Sequence, residues 1–125
     1  MKKIALLLIF ALILSLVGCG GKPNGIRKGV YNLSLAILST SDQYLDFKIT
    51  ADEAYEKINK LYERFNEFED VENLSTQINE MSIKVCLHDL NNTFRLLIWY
   101  GEKSYDNILE KRNNLAVKLN EKTRK

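Results

Sequence analysis

Beyond residue 25, apolar residues recur at intervals of three and four along the chain, which is the spacing of one face of an α-helix. Proline is missing from this stretch, and glycine occurs in it only at Gly29 and Gly101. Residues that interrupt helices are therefore scarce. The pattern predicts an all-α domain over residues 26–125, folded as a small antiparallel bundle of three or four helices.

The first predicted helix covers residues 26–47, and the second has a clear start at Thr50. The segment from Thr50 to Glu53 is a capping-box pattern, in which the Thr50 hydroxyl accepts from the Glu53 amide and the Glu53 carboxylate accepts from the Thr50 amide. The second helix ends before a break in the pattern at residues 70–73. Its apolar stripe consists of Ala54, Ile58, Leu61, Phe65 and Phe68.

The third predicted helix carries two apolar stripes. The first consists of Leu74, Ile78, Met81 and Val85. The second consists of Ile83, Leu87, Leu90, Phe94 and Leu97. At ~100° per residue the two stripes lie on opposite faces, so we expect either a kink near residues 82–88 or different neighbours for the two halves of the helix.

Gly101 is the expected end of the third helix, because glycine readily adopts the left-handed conformation of a helix C-cap. A shorter fourth helix then follows, with apolar positions at Tyr105, Ile108, Leu115 and Leu119. The chain ends in basic residues that suit a helix C-terminus and are expected to fray: Lys118, Lys122, Arg124 and Lys125.

The N-terminal segment has a different character. Lys2 and Lys3 precede an apolar run over residues 4–17, in which Ser15 is the one polar side chain. As a helix this run would reach ~21 Å, which is short of the ~30 Å hydrocarbon core of a bilayer. Positive charge followed by a short apolar run is typical of an export signal.

The segment closes with Leu16, Val17, Gly18 and Cys19, which match the recognition box of a lipoprotein signal position by position. The first fifth of the chain therefore resembles the signal of a bacterial lipoprotein. The resemblance implies that the Cys19 sulfur receives a diacylglycerol and that a dedicated signal peptidase cuts just before it. Acyl chains at this position would attach the mature protein firmly to a membrane.

Three segments follow from this interpretation. Residues 1–18 are the signal peptide, residues 19–25 are the lipidated cysteine with a short flexible tether, and residues 26–125 are the helical domain. Gly20 is not the aspartate associated with inner-membrane retention. The resemblance thus implies an extracytoplasmic location, on the cell membrane of a single-membrane organism or on the outer membrane of a double-membrane one.

Removal of the signal also changes the charge. Loss of Lys2 and Lys3 leaves 16 basic and 16 acidic residues, so the mature chain carries no net charge. Proteins that bind nucleic acid usually present a basic excess, and no nucleic-acid partner is expected here. Cys86 lies in an apolar segment, and we interpret it as a small buried hydrophobe in preference to a reactive thiol.

Residue types that carry catalysis or bind metals are sparse. His88 is the only histidine, and Cys86 lies two positions away on the same helix, so the two side chains point in nearly opposite directions. A zinc site would need three or four ligands, which one histidine and one cysteine do not supply. We therefore expect no enzymatic activity, no metal and no cofactor, and we interpret His88 as a partly exposed or capped helix residue.

Aromatic side chains are the candidates for contact with a partner. Tyr55 and Tyr62 flank the stripe of the second helix, and Trp99 and Tyr100 end a dense apolar run. Such residues also form the rim of a core, which is their commoner role, and both interpretations stay open.

The leading hypothesis is a membrane-anchored, non-enzymatic interaction module that contacts another macromolecule, such as an envelope protein, at the membrane surface. One alternative is a small-ligand-binding bundle with a pocket between the out-of-phase halves of the third helix. Another is a lipid-anchored immunity or phage-exclusion protein.

Overall fold

The computed structural model describes residues 22–101 and 105–125, which form four helices. They are α1 (Lys28–Leu45), α2 (Ala51–Arg64), α3 (Leu74–Tyr100) and α4 (Tyr105–Lys118), and a 3₁₀ turn, Phe65–Glu67, follows α2. The predicted all-α fold is confirmed, and no strand occurs in these two ranges. The predictions for residues 1–18 and for Cys19 lie outside the described residues.

The helices form an antiparallel four-helix bundle. Asn59 of α2 contacts Asn91 of α3, and Tyr62 contacts His88, so residue numbers fall along one helix as they rise along the other. Each helix packs against the next one in the chain, and α1 also packs against α4, which closes the bundle. In residues 22–101 and 105–125, no helix combines the length and hydropathy needed to cross a membrane.

Helix α1 is the most deeply buried element, because 11 of its 18 residues are buried. Among them are three serine and threonine side chains, whose hydroxyls donate to backbone carbonyls of the same helix. Ser34 donates to the Val30 carbonyl, and Thr40 and Ser41 donate to the carbonyls four residues before them. The polar positions of α1 therefore face the core without leaving a donor unpaired.

The core combines apolar side chains from all four helices. Its largest fully buried members include Ile37, Leu38, Ile58, Ile83, Leu87, Leu90, Phe94, Ile108 and Leu115. The Tyr44 ring packs edge-on against the Phe94 ring, with centroids 5.2 Å apart. Of the predicted α2 stripe, Ala54 and Ile58 are buried, while its three later members are partly buried against the core.

Local sequence signals fix several helix ends. The capping box at Thr50 is present as predicted: the Glu53 amide donates to Thr50 Oγ1 at 3.2 Å, and the Thr50 amide donates to Glu53 Oε1 at 3.4 Å. The start of α3 is capped by Asn73, whose side-chain oxygen accepts from the Thr76 amide. Gly101 ends α3 in the left-handed conformation, at φ 60°, which confirms its predicted role.

The expectation for the two faces of α3 was wrong. One face carries the buried residues from Glu80 to Phe94, on both sides of the expected kink: Glu80, Ile83, Leu87, Leu90 and Phe94. The four residues of the first stripe lie on the opposite side and are exposed, so no second neighbour covers them in the described chain. A helix of a four-helix bundle buries one face against its neighbours. In α3 the residues of the second stripe already occupy that face.

The C-terminal residues do not fray as expected. Leu119 is fully buried, and the Tyr31 hydroxyl donates to the Glu121 carboxylate at 3.0 Å. Burial, together with this hydrogen bond, raises the pKa of Tyr31 to about 12. The Arg124 amide donates to Asn113 Oδ1 at 2.9 Å, while the Asn113 side chain donates to the Arg124 carbonyl at 2.8 Å.

A network of ion pairs ties the C-terminal tail, residues 119–125, to α1. The Arg112 guanidinium, with 6% of its side chain exposed, donates to both carboxylate oxygens of Asp42 at 2.8 and 3.1 Å. Arg124 also donates to Asp42, at 3.1 Å, and to Asp46, at 2.5 Å. The hydrogen bond from Arg124 holds the pKa of Asp46 below its ordinary value. The tail is thus a fixed part of the α1–α4 contact.

Candidate functional site

The most distinctive surface of the described chain is the side of α3 that points away from the bundle. Leu74, Ile78, Met81 and Val85 follow one another at intervals of four, three and four residues on this side. Their exposed fractions are 67%, 60%, 63% and 54%, although each is a large apolar side chain. We call the side of α3 that these four residues occupy the outer face.

The outer face continues to the end of the helix. Leu96 is 36% exposed and Trp99 is 65% exposed, and both fall in the same angular sector as the earlier residues. The Arg95 guanidinium lies over the Trp99 ring at 5.3 Å from its centroid and donates to Asn92 Oδ1 at 2.6 Å. Aromatic and arginine side chains of this kind are enriched in protein–protein contacts.

The four predicted contact residues separate into two pairs. Trp99 and Tyr100 are exposed together at the end of α3, at 65% and 69%. Tyr55 and Tyr62 are half-buried and pack against the core, with the Tyr62 ring 6.1 Å from the His88 ring. The structure therefore leaves Trp99 and Tyr100 accessible, whereas the two α2 tyrosines take part in internal packing.

Sequence reasoning identified the residues of the first α3 stripe but assigned them to a covered position. The signal that distinguishes the two stripes is their extent. The second stripe runs on from Ile83 to Leu97, whereas the first is interrupted by His88 and Asn92. His88 is exposed, in agreement with its predicted role as an exposed helix residue.

The segment that leads to the N-terminus is attached to the first third of α3. The Asn79 side chain donates to the Gly25 carbonyl at 3.5 Å, and Gly25 adopts the left-handed conformation at φ 77°. The Lys22 ammonium donates to the Ile26 carbonyl at 2.7 Å, which closes a turn over residues 22–26. The described part of the predicted tether therefore approaches the bundle beside α3.

An ion pair secures this attachment. Glu80, with 7% of its side chain exposed, accepts from the Arg27 amide at 2.9 Å and from the Arg27 guanidinium at 2.8 and 3.1 Å. Burial alone would raise the pKa of Glu80, but the hydrogen bonds and charge of Arg27 outweigh it and hold that pKa below its ordinary value. The hydrogen bond to Glu80 in turn raises the pKa of Arg27.

A cleft of about 540 Å³ lies between the 3₁₀ turn with its following loop and the first half of α3. Its walls combine charged and aromatic groups: Arg27 lies 5.6 Å from the Phe68 ring centroid, and Lys84 lies 5.5 Å from that of Phe65. The cleft differs from the predicted pocket, because it opens between a loop and one half of α3 and not between the two halves of the helix.

Groups of metal-ligating or nucleophilic character are isolated. Residues 22–101 and 105–125 contain no group of three or more His, Cys, Asp or Glu side chains that could hold a metal ion. The Cys86 thiol is half-buried, and burial raises its pKa, so the reactive thiolate is disfavoured.

Comparison of the chain with protein-family models, with curated proteins and with solved structures finds no match.

Proposed function

We propose that this chain is a lipid-anchored envelope protein whose helical domain acts by contacting another macromolecule at the membrane surface, without catalysis. The observation that carries the proposal is the exposed outer face of α3. Four large apolar residues more than half exposed in one row, followed by Leu96 and Trp99, form an apolar surface longer than scattered exposed side chains produce. Such surfaces are characteristic of interaction sites.

The lipid anchor in this proposal rests on Leu16, Val17, Gly18 and Cys19. A mature chain beginning at Cys19 would have three residues before Lys22, which reach at most ~10 Å. Because Gly25 contacts Asn79 and Arg27 contacts Glu80, an anchor on Cys19 would hold the first part of α3 near the bilayer. The apolar outer face would then be presented at the membrane surface, where partners are confined to two dimensions.

The acidic loop before α3 bears on what this face contacts. Glu67, Glu69, Asp70 and Glu72 precede the helix, close to Leu74. Anionic lipid headgroups attract basic segments and repel acidic ones, so insertion of the face into the bilayer would be opposed at this end. We therefore favour a protein partner over the lipid itself.

Two experiments test the proposal. Cells fed labelled palmitate should label the full chain and not the Cys19→Ala variant, and label that persists in this variant would refute the anchor. In-cell crosslinking of the lipidated form, followed by mass spectrometry, should recover a protein adduct through Trp99 and Tyr100 or through the face beside them. Replacing Trp99 and Tyr100 with alanine should reduce this adduct while the melting temperature stays unchanged, because both side chains are exposed.

A small-ligand-binding role is the second candidate, and the cleft of about 540 Å³ beside Lys84 is the observation that favours it. This volume lies within the usual range of small-molecule pockets, ~300–1,000 Å³. A thermal-shift screen separates the two candidates, since a small molecule that raises the melting temperature, and does so less in Lys84→Ala, would point to the cleft.

A further inference from the structure

We propose that the occupant of the outer face is a second copy of this chain, with the two α3 helices packed in parallel. This inference rests on the proposed function, because it names the macromolecule that the outer face contacts. The first observation that supports a second copy is the spacing of the residues along the middle of the outer face. These residues alternate by four and three along the whole helix: Leu74, Ile78, Met81, Val85, His88, Asn92, Arg95 and Trp99.

This alternation is the heptad repeat of a two-helix seam, and its residue types point to one arrangement. In heptad notation Ile78, Val85, Asn92 and Trp99 occupy the a positions, while Leu74, Met81, His88 and Arg95 occupy the d positions. In parallel coiled coils, β-branched residues at a with leucine at d favour two strands, and the first half of the seam, with Ile78 and Val85 at a and Leu74 at d, resembles this pattern. A single asparagine at an a position specifies register and oligomeric state at a cost in stability, and here Asn92 Oδ1 already accepts from Arg95 of its own helix at 2.6 Å.

The charges beside the seam agree with parallel pairing. Lys84 precedes Val85 at a g position, and Asp89 follows His88 at an e position, five residues later. In a parallel pair each g side chain faces the e side chain five residues further along the other helix, so Lys84 of each copy meets Asp89 of the other. An antiparallel pair would place g opposite g and e opposite e, and this match would be lost.

Both charges are available for this contact. Lys84 touches the Phe65 ring at 5.5 Å and donates to Asn66 Oδ1 at 3.4 Å, but neither it nor Asp89 forms an ion pair within the described ranges. Asp89 is exposed. Two-fold symmetry would form the Lys84–Asp89 pair twice, once on each side of the seam.

Anchoring selects the same direction. Two copies attached to one membrane through Cys19 carry their anchors on the same side, and a two-fold axis along the membrane normal is the symmetric arrangement that allows this. Helix α3 starts at the anchored end, beside Gly25, and its 27 residues extend ~40 Å away from it. When α3 runs along this axis, the same rotation places two α3 helices side by side and pointing the same way.

A photo-crosslinking amino acid at position 85, in the full-length lipidated protein in cells, identifies the occupant. We expect an adduct of twice the monomer mass that yields only peptides of this chain, and no such adduct from the same probe at Lys57, on the exposed side of α2. An adduct with a different protein would overturn the second copy while the proposed function stands. Adducts with lipid alone, or none, would overturn both.

Cysteine substitution tests the direction of the helices. In a Cys86→Ser background, Ile78→Cys should form a disulfide with itself across the seam, about tenfold more than Lys57→Cys under the same mild oxidation of intact membranes. Antiparallel helices would keep the two copies of position 78 apart, so a monomeric Ile78→Cys would refute the parallel arrangement.

Charge reversal tests the pair beside the seam. Lys84→Asp should reduce the crosslinked dimer about fivefold, and Lys84→Asp combined with Asp89→Lys should restore it. Recovery of the dimer in the double variant would show that the intermolecular pair is responsible. The double variant does not rebuild the contacts of Lys84 with Phe65 and Asn66, so those contacts could not explain the recovery. Failure of the double variant to recover any dimer would contradict the predicted Lys84–Asp89 contact.

Discussion

Replacing Glu80 with glutamine tests the ion pair that secures the segment beside α3. The Glu80 carboxylate is nearly buried and accepts from both the amide and the guanidinium of Arg27. Removing one member of a fully buried ion pair costs about 3–5 kcal/mol. Here the Arg27 side chain is 35% exposed and regains water, and the glutamine oxygen still accepts one hydrogen bond. We therefore expect Glu80→Gln to lower the free energy of unfolding by about 1.5 kcal/mol.

The measurement is urea unfolding of the unlipidated chain from residue 20 onward, followed by circular dichroism. With a urea slope of about 1–1.5 kcal/mol per molar for a domain of this size, the midpoint should fall by about 1 M. The matched control is Glu56→Gln, which removes the i,i+4 pair with Lys60, where the side chains are 69% and 71% exposed. Exposed pairs of this kind contribute about 0.5 kcal/mol or less, so the control should unfold close to the parent.

The pH dependence of the difference identifies its cause. Because the pKa of Glu80 is lowered in the folded state, its contribution is present above the ordinary carboxyl pKa of ~4.3 and is lost as the pH falls through the lower folded value. The difference in free energy of unfolding between the parent and Glu80→Gln should therefore become smaller below about pH 4. A free-energy difference between the parent and Glu80→Gln that stays constant down to pH 3 would refute this account. So would a difference at pH 7 that is no larger than the one between the parent and Glu56→Gln.

Three further changes probe the helix start, the tail and the core. Thr50→Ala removes the capping hydroxyl of α2 and should cost about 1 kcal/mol by the same unfolding assay. Arg124→Ala leaves the tail without its bonds to α1 and should make the last residues the first site of limited proteolysis, whereas a frayed tail would be cut equally fast in the parent. Phe94→Ala should cost about 3–5 kcal/mol because the ring is fully buried, and Leu74→Ala on the outer face should change stability by less than about 0.5 kcal/mol.

Much of the fold follows from local signals in the sequence. Spacings of three and four, with few residues that break helices, predict three or four helices, and the described residues form four. Thr50 and Gly101 mark two of their ends correctly. These signals work because a cap involves residues within one turn of each other, and their physics is the same in any protein.

Contacts between distant residues could not be predicted in the same way. Asp42 meets Arg112 and Arg124, which are 70 and 82 residues away, and a basic helix terminus read alone indicates fraying. The covered position predicted for the first α3 stripe was wrong for a related reason. Periodicity locates the two apolar faces of α3 but does not say which of them the neighbouring helices cover. Because both faces were expected to be covered, the exposure of the first stripe was not predicted.

The seam on α3 combines features that stabilise pairing with features that weaken it. Apolar side chains fill its first half, whereas His88, Asn92 and Arg95 place polar groups in the second half. Parallel pairing also brings two acidic loops to one end. On the proposed pairing, a seam of this composition would give weak association in dilute solution, which would limit premature aggregation. Confinement of anchored copies to one membrane raises their effective concentration and aligns their helices, so the same weak seam becomes sufficient there. On this reasoning the proposed lipid on Cys19 and the apolar face of α3 would act together, since the anchor would supply the concentration that pairing through the face requires.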